Sequence, residues 1–179
     1  MTNPATRRGV GTETVSRIDL RTGELVSTIA VGTTPIFTTF GDGAVWVSNY
    51  DADTISVVRI GSTEAETIEA CDGPLGIATG FESVWVACYW VSQIVRVDQR
   101  TGEVLARIPI GAGPLDVSVG ADSVWSTSRD SREVSRIDPR SNEVVARIEF
   151  AGDASPRSVV ATEDAVWVSV FSCSSAPCV

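Results

Sequence analysis

The stretch Gly111-Ala-Gly-Pro114-Leu115-Asp116-Val-Ser-Val119-Gly-Ala-Asp-Ser-Val124-Trp125-Ser126-Thr-Ser128-Arg129-Asp130-Ser-Arg-Glu-Val134-Ser-Arg136-Ile137-Asp138 decides the fold, because the chain repeats it. Its triplet Val124-Trp125-Ser126 returns as Val45-Trp46-Val47, Val84-Trp85-Val86 and Val166-Trp167-Val168, with the tryptophans 39, 40 and 42 residues apart. About ten residues before each tryptophan stands a proline, at Pro35, Pro74, Pro114 and Pro156, entered through segments such as Gly32-Thr-Thr-Pro35. After each of the first three, and also near the start of the chain, comes Arg-Ile/Val-Asp or its variant: Arg17-Ile18-Asp19, Arg59-Ile60-Gly61, Arg96-Val97-Asp98 and Arg136-Ile137-Asp138. A turn and a further apolar stretch follow, as in Arg100-Thr-Gly-Glu103 and Val104 to Ile108.

Within each copy, runs rich in Val, Ile, Thr and Trp alternate with Gly, Pro, Asp and Asn clusters, and no stretch keeps helical spacing. Four short strands are expected per unit: Leu115 to Val119, Ser123 to Ser128, Val134 to Asp138 and Val144 to Phe150 in the copy quoted. A four-stranded antiparallel unit of about 40 residues, repeated, is the signature of β-propeller blades. A β-sandwich also has frequent turns, but it does not require the same tryptophan and proline at a fixed period. The expected class is all-β, a β-propeller.

Strand counting gives an asymmetric organisation. Residues 1–179 read as one propeller domain, with complete blades at about 33–71, 72–111 and 112–151 and half-blades at 14–31 and 156–172. The chain opens on third and fourth strands (Thr14 to Asp19, Leu25 to Val31) and closes on first and second strands (Ser158 to Ala161, Val166 to Phe171). Two expectations follow. The terminal halves join into one split blade, giving four blades and removing sheet edges that invite association, or the chain is a fragment of a larger propeller. Aligning Met1-Thr2-Asn3 with Val47-Ser48-Asn49 favours a start in mid-blade. Open blade edges make self-association a further expectation.

These motifs resemble the YVTN (YncE-like) β-propeller repeat, a pattern related to streptogramin lyases and to the quinoprotein amine dehydrogenase propeller. The resemblance runs from Thr14 to Phe171 and rests on Gly-Pro, Val-Trp-Val and Arg-Ile-Asp followed by Thr-Gly-Glu. Members of this family usually have more blades than four, which favours the fragment or a dimer that completes a larger ring. The resemblance implies a binding or scaffold module, and the Val- and Ala-rich, lysine-free composition is that of a high-GC bacterial gene; the alternative the resemblance implies is a piece of a streptogramin lyase-like, metal-dependent enzyme.

Composition bears on that alternative. The 179 residues contain no histidine, and all 14 basic residues are arginine. Histidine bases, histidine metal ligands, Schiff-base lysines and the P-loop lysine are therefore excluded within this sequence. The lyases resembled depend on histidine with a metal, so the chain as it stands is expected to be inactive in that chemistry. No catalytic residue, cofactor or metal site is read. A net charge of −9 without a basic patch argues against nucleic acid. The longest apolar run, Val84 to Val91, is too short to cross a bilayer, and Met1-Thr-Asn-Pro4 lacks the apolar core of a signal peptide. An extracytoplasmic location is expected if the chain derives from a secreted parent, and a cytoplasmic one otherwise.

Ligands of propellers meet the loops around the central channel. That face is expected to carry Asn49, Tyr50, Asp51 and Asp53 from one blade, Tyr89 and Trp90 from the next, Asp116, Arg129 and Asp130 from the third, and Arg157 and Phe171 from the last. Aromatic groups beside carboxylates and arginines suit a small molecule, glycan or peptide. Against this, Asn49, Asp51 and Asp53 also suit an Asx-stabilised turn, and their resemblance to a calcium loop lacks the required glycine and distant glutamate. Tyr89 and Trp90 stand out because no other copy has two adjacent aromatics there, although packing between loops would account for them equally. Trp46, Trp85, Trp125 and Trp167 are read as packing between sheets, and Arg-x-Asp pairs such as Arg136 with Asp138 as ion pairs. With Cys88 placed opposite Leu75, a disulfide to Cys71 is feasible, and Cys173 and Cys178 bracket a short loop that could pair; four thiols remain the alternative.

Overall fold

The computed structural model describes residues 13–172. Its secondary structure there is sixteen strands, all joined as antiparallel neighbours. A hairpin of β1 (Thr14–Ile18) and β2 (Leu25–Ala30) comes first. Three complete blades follow: β3 (Pro35–Gly41), β4 (Ala44–Asn49), β5 (Thr54–Arg59) and β6 (Glu66–Glu69); β7 (Pro74–Gly80), β8 (Ser83–Cys88), β9 (Gln93–Asp98) and β10 (Val104–Pro109); β11 (Pro114–Gly120), β12 (Ser123–Ser128), β13 (Glu133–Asp138) and β14 (Glu143–Glu149). A second hairpin, β15 (Ser155–Ala161) and β16 (Val166–Phe171), ends the arc. The molecule is a partial propeller. Its terminal hairpins form two separate sheets, so among the described residues no split blade closes a four-bladed ring.

Blade regularity starts in the turns. The first hairpin of each blade closes through two residues in the left-handed region: Asp42 and Gly43, Phe81 and Glu82, Ala121 and Asp122. Paired left-handed residues twist a two-residue loop in the sense of the flanking strands, which holds the register of a hairpin. Strand β8 is buried along its whole length, which is why Val84-Trp-Val-Ala-Cys88 shows no polar alternation. The third-to-fourth strand turn depends on aspartate: Asp98 Oδ1 accepts the Arg100 and Thr101 N–H groups at 2.9 and 2.7 Å, and Asp19 and Asp138 make the equivalent turns.

First strands stack in order, β3 on β7 on β11 on β15, and this stack sets the arc. Gly76 sits where two of them meet. A Cβ there would lie 2.5 Å from the Asp116 Cα and 2.8 Å from the Leu115 carbonyl oxygen, so the blades approach backbone to backbone. Two apolar clusters fill the gaps. Trp46, Val57, Val84, Val86, Val95 and Val97 belong to one, and Trp85, Ile94, Val124 and Ile137 to the other.

The repeated tryptophans differ by position in the arc. Trp46 and Trp85 are fully buried, Trp125 is half-buried, and Trp167 is exposed, because among the described residues no third strand or following blade covers it. The Arg-x-Asp motif does not make the expected ion pair. Arg96 and Arg136 lie over the rings of Trp85 and Trp125, at 4.9 and 5.5 Å from their centroids, and their Nε atoms donate to Ser83 and Ser123. The aspartate of each motif is taken by its turn, leaving the arginine to the neighbouring strand's tryptophan. Arg96 also reaches the following blade, donating to the Pro139 carbonyl and Asn142 Oδ1 at 2.6 and 2.9 Å.

Candidate functional site

Each blade begins by passing from the previous fourth strand to its own first strand through Gly32-Thr-Thr-Pro35, Cys71-Asp-Gly-Pro74 or Gly111-Ala-Gly-Pro114. The leading residue meets the end of the second strand. Gly32 abuts Asn49, where a Cβ would stand 2.7 to 2.9 Å from the amide, and Gly111 abuts Ser128 and Glu133 in the same way. In the middle blade the equivalent positions are Cys71 and Cys88, joined by a disulfide with a Cα separation of 5.9 Å. Cys88 pairs with Pro74 and not Leu75, because the register shifts between Pro74 and Ile77. Cys173 and Cys178 lie outside the described residues.

Above this layer the loops between second and third strands come together. Tyr89 meets Trp90 edge to face at 4.8 Å between centroids, and Tyr50 of the preceding blade tilts against Trp90 at 6.4 Å. The Tyr89 hydroxyl donates to Asp130 Oδ2 of the following blade at 3.3 Å, and Arg129 Nε stands 3.7 Å from Asp130 Oδ1. Gly73 makes room for the indole, since a Cβ there would lie 2.5 Å from Trp90 Cδ1. Five predicted residues, Tyr50, Tyr89, Trp90, Arg129 and Asp130, thus form one chain of contacts across three blades, with Trp90 55% exposed. Burial raises the Tyr50 phenol above its ordinary value, and the nearby Tyr89, Asp51 and Asp53 act in the same direction, so it stays a neutral donor at physiological pH.

The other predicted residues go elsewhere. Asn49 is fully buried and donates to Thr54 Oγ1 and Ser56 Oγ at 3.1 and 2.9 Å; it packs the blade interior and does not face the loops. Asp51 accepts the Thr34 hydroxyl at 2.6 Å, and Asp53 accepts the Gly73 N–H at 2.9 Å. Asn49, Asp51 and Asp53 therefore have no hydrogen-bond partner in common. Asp116 ties the third blade to the last hairpin, its Oδ2 accepting the Ser158 hydroxyl and the Val159 N–H at 2.6 and 2.9 Å. Arg157 lies over the Phe171 ring at 5.4 Å.

Beside Trp90 lies a feature that the sequence reading missed. A shallow cavity of about 290 Å³ is lined by residues that include Asp53, Glu69, Asp72, Val91, Gln93 and Arg107. Arg107 Nη1 donates to the Ala70 carbonyl at 2.8 Å, bridging the first and second blades. Glu69 and Arg107 come from fourth strands and Asp72 from a crossover, while Asp53 and Val91 lie in loops after second strands and Gln93 begins β9; of these only Asp53 was among the residues read from the sequence.

No protein-family model matches the chain, and no curated protein matches it. Solved structures do. Hydrazine synthase of Kuenenia stuttgartiensis aligns with a TM-score of 0.76 and 25% identity, over 82% of this chain and 46% of that one. A streptogramin B lyase aligns with a TM-score of 0.74 and 18% identity, over 88% of this chain and 55% of that one. The WD40 β-propeller domain of Doa1 aligns at 0.67 and 16% identity, over 84% and 52%. This chain spans about half the length of each, and what they share with it is the β-propeller fold.

Proposed function

We propose that this chain is a non-catalytic binding module of the YVTN-repeat kind that takes a glycan, a peptide or another small molecule with a flat apolar face on the Tyr50–Tyr89–Trp90 platform. The observation that carries the reading is the exposed Trp90 indole, held edge-on by Tyr89 while Tyr89 is itself tied to Asp130. A large ring fixed before binding loses little conformational freedom when a ligand stacks on it. Asp130 and Arg129 stand at the rim to meet ligand hydroxyls, amides or charges. The Cys71–Cys88 bond suits an oxidising compartment. A metal-dependent lyase reading has less support, since none of the 179 residues is the histidine that chemistry uses.

The test is calorimetric binding of an oligosaccharide panel and a peptide panel to the wild type and to Trp90→Ala. At least one ligand class should bind the wild type and weaken roughly tenfold or more in the variant, the scale of losing one aromatic anchor. Equal affinity in the two proteins, or no binding by either panel, overturns the reading.

A further inference from the structure

The cavity between the first and second blades departs from the repeat in its charges. Asp53 has its counterpart in Ser92 of the second blade: both are left-handed, and they accept the N–H groups of Ala70 and Ile110. On the same alignment Glu69 answers to Pro109 and Asp72 to Ala112. Three carboxylates thus stand where the boundary between the second and third blades has a hydroxyl, a proline ring and a methyl group. The arginines differ as well. Arg147 donates to the Glu133 carboxylate at the head of β13, whereas the head of β9 is the uncharged Gln93, and Arg107 Nη1 goes to the Ala70 carbonyl.

The surplus is uncompensated. Among the described residues none of these three carboxylates makes an ion pair; Asp53 is held only by the Gly73 N–H, and the side chains of Glu69 and Asp72 accept no hydrogen bond. A concave site lined mainly by one sign of charge focuses its field and concentrates ions of the other sign. The aromatic platform borders the same crossover. The Trp90 N–H donates to the Asp72 carbonyl at 3.4 Å, and its indole lies against Gly73, the residue that Asp53 holds. Cys71 also lines the cavity, so its bond to Cys88 fixes one wall.

We propose that this cavity seats an aliphatic primary ammonium group, with the methylene stem that carries it laid on the Trp90 ring. An ammonium brings three donors and a positive charge to carboxylate oxygens that have no cationic partner. Its stem covers apolar indole surface while the head stays at the polar end, and the ring face itself attracts a cation. No side chain of this lysine-free sequence supplies such a group, so it comes from another molecule. A lysine side chain of a peptide and a free diamine share this chemistry. The stem's place on Trp90 rests on the platform reading above; the head's place in the cavity does not.

The probes are cadaverine and a short capped peptide with one lysine, titrated by calorimetry and by the chemical shift of the Trp90 indole N–H. Binding of the peptide alone marks a lysine side chain as the source, and binding of cadaverine alone a free amine; either supports the proposal. Acetylating the lysine keeps the stem and removes the charge, and should weaken the peptide roughly tenfold. Glu69→Gln combined with Asp72→Asn, both at exposed positions, should weaken the cationic probe roughly fivefold or more. Asp42→Asn combined with Glu64→Gln removes the same charge at exposed positions elsewhere and should change nothing. Binding by neither probe, an acetylated peptide as tight as its parent, or an equal loss in the Asp42, Glu64 pair each overturns the proposal. Loss in the Glu69, Asp72 pair without loss in Trp90→Ala upholds the cavity and overturns the platform. An uncharged glycan or peptide that needs Trp90 but binds the Glu69, Asp72 pair at full strength, with neither cationic probe bound, upholds the platform and overturns the cavity.

Discussion

Opening the Cys71–Cys88 bond is the perturbation whose size is most directly calculable. The bond closes a loop of 17 residues by sequence separation. The chain-entropy model assigns such a closure about 3 kcal/mol at room temperature, because the unfolded chain regains the freedom to separate the two ends. With a urea dependence near 2 kcal/mol per molar, that is a fall of about 1.5 M in the unfolding midpoint. Cys71→Ala and Cys88→Ala should each lower the midpoint by this amount, and the double variant by little more, since either change alone abolishes the bond and the small side chains leave little cavity. The non-additivity separates a cross-link from two independent packing residues. The assay is urea unfolding followed by tryptophan fluorescence and far-ultraviolet dichroism, with the Cys173→Ser, Cys178→Ser background as reference and thiols counted in denaturant. Two reactive thiols in the oxidised reference, single-variant losses that add in the double variant, or a midpoint shift under about 0.5 M would each refute the reasoning.

Further predictions test the blade contacts and the turns. Trp85→Ala removes a fully buried ring and should cost about 3–5 kcal/mol in urea unfolding. Gly76→Ala forces the second and third blades apart where their backbones touch and should cost about 1–3 kcal/mol, with the crowding read as chemical-shift changes around Leu115 and Val117. Asp116→Ala leaves the Val159 N–H and Ser158 without their acceptor; hydrogen exchange at Val159 should accelerate while the middle blade is unchanged. The Thr101 N–H, aided by the Thr101 hydroxyl and the Arg100 N–H, holds the Asp98 carboxyl below its ordinary value. A depressed folded-state value means stability that is present above about pH 4 and lost as the pH falls through the folded value, so Asp98→Asn should flatten the acid limb of the stability curve. Carbon-detected titration of Asp98 at or above the ordinary carboxylate value would refute this.

Strand positions were legible from the sequence because each copy repeats the same punctuation, and a proline or a left-handed turn acts locally. The second strand from Ser123 to Ser128 and the last from Val166 to Phe171 were located to the residue. Register was less legible. The shift between Pro74 and Ile77 places Cys88 opposite Pro74, and its one signal in the sequence is Gly76 inside the strand. The loop cluster was partly legible: adjacent aromatics at Tyr89 and Trp90 break the repeat, and a break in a repeat is visible in one dimension. Asn49 illustrates the limit, since a turn-forming residue type in the right place was drawn inward by Thr54 and Ser56, two side chains that become its neighbours only when β4 pairs with β5.

By itself the sequence determined the all-β class, the blade unit and the absence of histidine chemistry, because periodicity and residue type are properties of the chain before it folds. The bend of the arc, the separation of its two half-blades and the different burial of Trp46, Trp85, Trp125 and Trp167 were decided only by tertiary structure. Identical motifs acquire different environments according to which neighbours stand on either side of them. That is why Trp167 sits in solvent with the same local sequence that buries Trp85.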